Sequence, residues 1–355
     1  MKTNKLRINT AAPLKPEGSV LIIYTGGTIG MIMDKDNTLL TFDFKGILER
    51  VPVLKTFNLQ LEVISFEEPL DSSNMQPEHW VEIANIIEEH YADHDGFVVL
   101  QGTDTMAYTA SALSFMLKGL SKPVIFTGSQ LPIFSPRSDA HENLITSIEI
   151  ASRKENGLAI VPEVCIYFDY LLMRGNRTKK VESQHFDAFK SENYPPLAEA
   201  GISIEFNRNY ILQPDPAAGL SVFTRLDTSV VIIKLFPGLS WEIVQRILET
   251  EGLKGVVLET FGAGNAPSDP KLLTLLQEAI RRGIIVMNVS QCAGGRVLQG
   301  RYETSRQLVK IGVISGKDIT TEAAVVKLMF VLGMDVKDAD RVALLGKAIC
   351  GELDD

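Results

Sequence analysis

Cysteine is scarce in this chain, whose 355 residues include only Cys165, Cys292 and Cys350. An odd number of cysteines at no metal-like spacing favours reduced thiols and argues against a disulfide framework. Long hydrophobic runs are also missing, because every apolar stretch has strand length and falls short of a membrane span. Residues 8–19 lack the apolar segment of a signal peptide. These absences predict a cytoplasmic location.

Positive charge is not in excess either. The chain carries 35 Lys and Arg against 44 Asp and Glu, which gives a net charge of −9 and an isoelectric point of about 5.2. A diffuse acidic surface repels the phosphates of nucleic acids and the headgroups of anionic lipids. We therefore expect neither a nucleic acid nor a membrane as a partner.

Strand-like apolar runs alternate with segments of helical periodicity along most of the chain. Helical spacing covers residues 77–91 and 105–117, and the first of these begins with a proline suited to a first helical turn. The predicted strands are residues 20–24, 61–66, 96–101, 123–127, 164–170, 230–235, 255–260 and 284–289. This alternation is typical of an α/β fold with a mainly parallel sheet covered by helices.

A stretch rich in proline, glycine and alanine interrupts the alternation after residue 191. The interruption predicts a larger N-terminal domain, residues 1–207, with a mainly parallel sheet. A smaller C-terminal α/β domain is predicted for residues 229–355, and residues 208–228 are the predicted linker. Residues 1–17 are predicted to form a disordered arm.

The first predicted strand ends in the most informative segment of the chain, SVLIIYTGGTIGM. Gly26 and Gly27 permit a sharp turn of the backbone. Open α/β sheets bind ligands at the carboxyl ends of their strands, and Thr28 lies at such an end. Its hydroxyl is therefore a candidate nucleophile. Taken alone, the segment is more typical of a tight turn in which Thr28 caps a helix.

Three later segments also place polar side chains just after predicted strands. They are PLDSSNM with Asp71, Ser72 and Ser73, GTDTM with Thr103, Asp104 and Thr105, and LLMRGNRTKK with Arg174, Arg177, Lys179 and Lys180. Each segment alone fits a turn, a helix cap or a solvated loop. Because the ends of parallel strands share one edge of the sheet, the four segments can converge on one site.

A threonine hydroxyl is a weak nucleophile and needs a neighbouring base. None of the five histidines lies in the four segments, and His90 and His94 are interpreted as solvated residues at a helix end, although their spacing also fits a metal pair. Lys180 is the candidate base, because cationic neighbours can lower the pKa of a lysine. Asp104 can orient it or bind a substrate ammonium group, and Thr103 can relay a proton or hold a water molecule.

The order of the motifs resembles that of the type I, cytoplasmic L-asparaginases. The motifs are YTGGTIGM, LDSSNM, HDGFVVLQGTDTMAYTASALSFML, PVIFTGSQLPI, RGNRTKK and FGAGNAP, and the resemblance extends over residues 20–353. It implies the hydrolysis of L-asparagine to L-aspartate and ammonia, as part of asparagine catabolism. It also implies that neither a metal nor a cofactor is needed.

The resemblance further implies roles for individual residues. Thr28 matches the threonine that attacks the amide and forms an acyl-enzyme ester. A second catalytic group matches Thr103, Asp104 and Lys180. The substrate backbone is held by residues that match Asp71, Ser72, Ser73, Thr103 and Asp104. Asn265 matches an asparagine that reaches the active site of a neighbouring subunit, since the family forms homodimers that often pair into homotetramers.

Two departures from the family pattern have consequences. The best-known bacterial members carry a tyrosine on the mobile loop after the nucleophile, where this chain has Thr38, so closure of that loop loses an aromatic contact. A possible asparagine effector site corresponds to Lys179, Glu259, Ser290, Gln291 and Cys292. Glu259 stands where an arginine is expected, and Lys179 where a threonine is expected. A carboxylate cannot hold the carboxylate of an effector as a guanidinium group does, so we expect weak or no activation.

Several alternatives remain at this point. An L-glutaminase or an amidotransferase subunit releases ammonia by the same chemistry, and one methylene changes binding by only about 1–3 kcal/mol. A non-catalytic asparagine sensor is disfavoured, because all four candidate catalytic residues are present. The segment GGTIG resembles a dinucleotide loop, but the G-x-G-x-x-G spacing of an oxidoreductase is not met.

Overall fold

The computed structural model describes residues 2–10, 14–33, 39–40, 51–214, 218–300 and 303–354. Two compact units make up the chain, Met1–Thr224 and Arg225–Asp355. The boundary between them falls inside residues 208–228. Thr38, the position that corresponds to the lid tyrosine, lies outside the described residues.

A nine-stranded sheet forms the centre of the first unit. Its strands, in chain order, are β1 Thr3–Asn9, β2 Gly18–Gly26, β3 Leu59–Leu70, β4 Gly96–Leu100, β5 Val124–Thr127, β6 Val164–Phe168, β7 Leu171–Arg174, β8 Ala198–Ala200 and β9 Ile204–Phe206. They lie side by side in the order β1-β3-β2-β4-β5-β6-β7-β8-β9. The five neighbouring strands β3, β2, β4, β5 and β6 are parallel to one another. The strands outside them, at both edges of the sheet, are antiparallel to their neighbours. The carboxyl ends of β2, β3 and β4 therefore share one edge.

Apolar side chains cover both faces of this sheet. Ile22 and Tyr24 belong to a buried cluster that includes Leu144 of the helix Ala140–Ser152. Leu21 and Ile23 point to the opposite face, because successive residues of a strand alternate, and both are also fully buried. The central strands read as continuous apolar runs for this reason.

In the described residues of the first unit, the helices are α1 Pro77–His90, α2 Met106–Met116 and α3 Ala140–Ser152. Helix α1 begins at Pro77, whose fixed φ suits a first helical turn. Short 3-10 turns occupy Thr28–Gly30, Pro52–Thr56, Ser72–Asn74, Thr103–Thr105, Gly175–Arg177 and Arg208–Tyr210. Among the residues that the structure describes, two-residue strands form four ribbons: Ile32–Met33 with Leu39–Leu40, Leu117–Lys118 with Ser221–Val222, Lys154–Glu155 with Leu158–Ala159, and Lys179–Lys180 with Phe189–Lys190.

The prediction of a disordered arm over residues 1–17 is wrong for β1. This strand pairs antiparallel with β3 and places Arg7 opposite Glu62. Arg7 Nε donates to Glu62 at 2.7 Å, and Lys5 forms a second ion pair with the same carboxylate. Burial alone would raise the pKa of Glu62, but Lys5 and Arg7 outweigh that effect and lower it. A buried acid thus fixes a strand that is otherwise polar.

The interpretation of His90 and His94 as solvated is also wrong. Both are buried, 9% and 3% exposed, and their rings face Glu62. His94 Nδ1 forms a hydrogen bond of 2.7 Å with the Ser19 hydroxyl, and burial lowers the pKa of His94. The two histidines therefore pack beneath β1 as part of the first unit's interior.

A four-stranded parallel sheet forms the second unit. Its strands are β10 Val230–Lys234, β11 Gly255–Thr260, β12 Ile285–Ser290 and β13 Ile314–Ser315, side by side in that order. Its helices are α4 Trp241–Leu248, α5 Pro270–Arg281, α6 Glu303–Ile311, α7 Thr321–Leu332 and α8 Asp338–Leu345. The buried ion pair Lys327–Glu352, at 2.6 Å, fastens the last described residues to α7. In the ranges that the structure describes, no helix is long and apolar enough to cross a membrane.

Candidate active site

Three strand ends of the first unit are in direct contact at the carboxyl edge of the sheet. Gly27, with φ of +94°, lies so close to the next strand that a Cβ there would be 2.3 Å from the Gly102 nitrogen. A Cβ on Gly102 would in turn be 2.6 Å from the Ser72 hydroxyl oxygen. Only glycine allows these approaches. Just beyond the strand ends, Gly27 therefore packs against the backbone of Gly102, and Gly102 packs against the side chain of Ser72.

Thr28 follows this contact directly and opens the turn Thr28–Gly30. Its carbonyl accepts the Met31 N–H at 3.1 Å, and the Ile29 carbonyl accepts the Ile133 N–H at 3.3 Å. Ile29 is fully buried, whereas Thr28 is half-buried. The turn is thus anchored from below, and the predicted nucleophile lies on its solvent-accessible side.

Lys180, Thr103 and Asp104 form one hydrogen-bonded group. Lys180 Nζ donates to Thr103 Oγ1 and to Asp104 Oδ1, both at 2.7 Å, across more than 70 positions of sequence. The Asp104 side chain is 63% exposed and that of Lys180 only 18%. Because Gly102 immediately precedes Thr103 and touches Gly27, this group lies beside the turn that carries Thr28.

The predicted substrate loop is a 3-10 turn, Ser72–Asn74, capped by Asp71. Asp71 Oδ1 accepts the backbone N–H and the hydroxyl of Ser73, each at 2.8 Å. These two bonds hold the pKa of Asp71 below its usual value, so its side chain is a carboxylate near neutral pH. Asp71 is exposed at the surface of the unit, while Ser72 is buried.

The surroundings of Lys180 differ from the prediction in one respect. The sequence predicts Arg174, Arg177 and Lys179 as its cationic neighbours, but the two guanidinium groups lie over the Tyr194 ring, at 4.3 and 4.9 Å from its centre. Arg174 is also paired with buried Glu163 at 2.6 Å. The charged group in direct contact with Lys180 is the carboxylate of Asp104.

Sequence reasoning missed the polar contact between Gln101 and Thr109, which lies directly behind the site. Gln101 is 1% exposed, and its amide donates to the hydroxyls of Thr105 and Thr109. The available signal was a glutamine at the end of an otherwise apolar strand. A buried polar side chain at such a point needs partners, and here they are hydroxyls of the following helix.

The remaining predicted residues, except Lys179, lie in the second unit. Asn265 forms an isolated bridge with Phe261, and its Oδ1 is buried without a hydrogen-bond partner within the described ranges. Glu259 accepts the Thr321 hydroxyl at 2.6 Å, and Lys234 lies 3.5 Å from its other oxygen. Glu259 is therefore already held by a donor and a cation.

The Ser290-Gln291-Cys292 run of the predicted effector site surrounds the end of β12. Gln291 Nε2 donates to the Glu259 carbonyl at 2.9 Å, and Cys292 N–H donates to the Ser290 hydroxyl at 3.0 Å. Glu259 and the run are therefore neighbours. Lys179 belongs to the first unit, on the ribbon that carries Lys180.

Comparison with known proteins identifies the family. A model described as "Asparaginase, N-terminal" matches residues 19–212, and one described as "Glutaminase/Asparaginase C-terminal domain" matches residues 229–344. The chain belongs to the asparaginase family. It is 40% identical over 340 residues to L-asparaginase 1 of Escherichia coli (strain K12), and the match covers 94% of this chain and 98% of that protein.

Two further matches cover nearly the whole chain. The crystal structure of L-asparaginase I from Vibrio cholerae O1 biovar eltor has a TM-score of 0.85 at 38% identity and covers 95% of this chain and 99% of its own. The 60 kDa lysophospholipase of Mus musculus is 38% identical over 366 residues and covers 97% of this chain. This chain spans only 64% of the length of that relative.

Membership of the asparaginase family confirms the resemblance and the α/β fold class that the sequence predicts. The roles of individual residues stay predictions. No group of three His, Cys, Asp or Glu side chains in the described parts of the chain is arranged to hold a metal ion.

Proposed function

We propose that this chain hydrolyses the side-chain amide of L-asparagine to L-aspartate and ammonia. The observation that carries the proposal is the group formed by Lys180, Thr103 and Asp104, packed beside the turn that begins with Thr28. It supplies a hydroxyl, a cation and an acid at the edge where α/β sheets bind ligands. Relatives named L-asparaginase support the same substrate.

Substrate binding rests on two carboxylates in this proposal. Both Ser73 donors end on Oδ1 of Asp71, which leaves Oδ2 for the α-ammonium group of the substrate. Asp104 keeps Oδ1 on Lys180 and is 63% exposed, so its other oxygen is available for the same ammonium group. Ion pairing with two acids selects an amino acid over a simple amide.

The reaction has two covalent steps. Thr28 Oγ attacks the side-chain carbonyl carbon, the hydroxyl proton is passed to the departing nitrogen, and ammonia leaves as the C–N bond breaks. Water then attacks the resulting ester, a proton returns to Thr28 Oγ, and L-aspartate is released. Splitting a difficult hydrolysis into two steps is the general advantage of a covalent intermediate.

Lys180, Thr103 and Asp104 handle the protons in both steps. Because the Lys180 ammonium donates to Thr103 Oγ1, the Thr103 hydroxyl directs its own proton elsewhere, toward an acceptor in the site. Asp104 compensates the charge of Lys180 from 2.7 Å. A general acid–base group of this kind contributes about 10²–10⁴ in rate.

Ammonia release from L-asparagine and from L-glutamine is the direct test. We expect turnover of L-asparagine, with kcat/KM for L-glutamine lower by about 10- to 200-fold because of the additional methylene. Ammonia is measured over a concentration series for both amides with the same enzyme preparation. Equal or better use of L-glutamine would assign the chain to the alternative, a glutaminase or an amidotransferase-type activity. Turnover of neither amide would contradict the proposal.

The same concentration series tests regulation by asparagine. We expect a hyperbolic rate curve, because the Glu259 carboxylate is held by Thr321 and Lys234 and repels the carboxylate of an effector. A sigmoidal curve that becomes hyperbolic in Cys292→Ala would contradict this expectation and restore the effector site.

We infer from the family resemblance that the chain acts in the cytoplasm as a homodimer or a dimer of dimers. Asn265 then contributes to the active site of the neighbouring subunit. Thr38 takes the place of the lid tyrosine, so loop closure relies on contacts other than an aromatic ring.

A further inference from the structure

Thr105 joins two turns that both border the candidate active site. The substrate turn is residues 71–75, and the catalytic turn is residues 102–105. The Thr105 hydroxyl donates to the Ser72 carbonyl oxygen at 2.7 Å, across 33 positions of sequence. This bond crosses from the catalytic turn to the substrate turn. Ser72 is 4% exposed, so water does not compete freely for the carbonyl.

Gln101 fixes the direction of that hydrogen bond. Its Nε2 donates to Thr105 Oγ1 at 3.3 Å and to Thr109 Oγ1 at 3.0 Å. A hydroxyl that accepts the amide proton has its own proton left to donate, and the acceptor within reach is Ser72 O. Gln101 and Thr109 are 1% and 0% exposed, so this arrangement is kept in an apolar environment.

We propose that Thr105 is a positioning residue, which sets the alignment of the substrate turn relative to the catalytic turn. The inference rests on the proposed function, since it assigns the substrate backbone to Asp71 and the proton transfer to Thr103 and Lys180. Each turn is rigid within itself: Asp71 caps the first, and Lys180 holds the second. The sheet brings both turns to one edge, and the Thr105 bond and the Gly102–Ser72 contact join them directly there.

A small loss of alignment has a large effect on rate. The substrate is held by one turn and its amide reacts beside the other, so a shift between them moves the amide carbon away from the attacking oxygen. A misplacement of about 1 Å can cost about 100-fold in rate, while ground-state binding to an intact turn changes little. Removal of the Thr105 hydroxyl should therefore lower kcat more than it raises KM.

The variant Thr105→Val tests the proposal, because valine keeps the shape and removes the hydroxyl. We expect kcat to fall about tenfold or more with KM changed less than about threefold, and Thr105→Ser to restore kcat to within about threefold. Thr109→Val is the matched control: it removes another buried hydroxyl of the same cluster that does not bond to Ser72. It should lower the melting temperature similarly and keep kcat near that of the wild type. Equal kcat losses in both valine variants would overturn the proposal.

Amide hydrogen exchange supplies a readout that does not need turnover. The N–H groups of Asn74 and Met75 donate to Asp71 O and Ser72 O at 2.9 and 3.1 Å. In Thr105→Val we expect these amides to exchange at least about tenfold faster, and in Thr109→Val at the wild-type rate. Unchanged exchange in Thr105→Val would disprove the proposed role of the Thr105–Ser72 hydrogen bond even if the enzyme is active. A wild type without asparagine turnover would disprove the proposed function. The exchange result would then still decide whether the Thr105–Ser72 hydrogen bond holds the substrate turn.

Discussion

Thr28→Ala should abolish the hydrolysis of L-asparagine. Alanine removes the oxygen that forms the ester, and the hydroxyl of nearby Thr25 is fully buried and bonded to the Leu100 carbonyl. We expect kcat to fall by about 10⁴-fold or more, the scale seen when an enzyme loses its nucleophile. Folding should be preserved, since Thr28 is half-buried and the turn is anchored by Ile29 and Met31. Ammonia release at saturating L-asparagine measures the loss of kcat, and the melting temperature measures whether folding is preserved.

Thr25→Val is the matched control for that experiment. Thr25 lies three residues earlier, near the end of β2, is fully buried, and donates its hydroxyl to the Leu100 carbonyl at 3.1 Å. Its loss removes one hydrogen bond, worth about 0.5–1.5 kcal/mol of stability, but no reacting atom. Turnover within about tenfold of the wild type is expected. Comparable turnover in Thr28→Ala and Thr25→Val would remove Thr28 from its proposed role.

The central strands could be predicted because burial on both faces makes them continuously apolar. The predicted strand 20–24 lies within β2, 61–66 lies within β3, and 255–260 coincides with β11. The edge strand β1 could not be predicted in this way. Its sequence, TNKLRIN, is polar, and its ion pairs are made with Glu62, which is buried on β3, the neighbouring strand in the sheet but more than 50 positions away in sequence. Charge complementarity between separate segments leaves no periodic signal.

The same limit explains which parts of the site could be predicted. Thr28, Asp71 and Thr103 follow apolar strands, so their convergence at one edge follows from the topology of a parallel sheet. The contact of Lys180 with Thr103 and Asp104 spans more than 70 positions and comes from an irregular turn and a short ribbon, where periodicity says nothing. It was predicted from the search for a base near Thr28, which led to Lys180 and Asp104, and from the family resemblance. For the buried Gln101 and its hydroxyl partners, the signal was a glutamine at the end of an apolar strand, and the prediction did not use it.

Lys180→Met should slow the reaction without preventing binding. Methionine has a similar length and lacks the ammonium group, so the Thr103 oxygen loses its donor and proton transfer loses its charged partner. We expect kcat to fall by about 10²–10⁴-fold, the usual contribution of a general acid–base group. Asp104 is 63% exposed and stays solvated after the loss of Lys180. It therefore still pairs with the substrate ammonium, and KM should change by less than about tenfold.

Lys190→Met separates this role from a general effect of charge. Lys190 is exposed and pairs with Lys179, on the face of the ribbon opposite to that of Lys180 and its partner Phe189, because successive residues of a strand alternate. The substitution removes the same charge from the same ribbon, but it breaks no hydrogen bond of the site. Its kcat should stay within about threefold of the wild type. If Lys180→Met and Lys190→Met lowered kcat equally, the ribbon would act through its net charge. The proton-transfer role of Lys180, and with it the grouping of Lys180, Thr103 and Asp104 as the second catalytic group, would then be wrong.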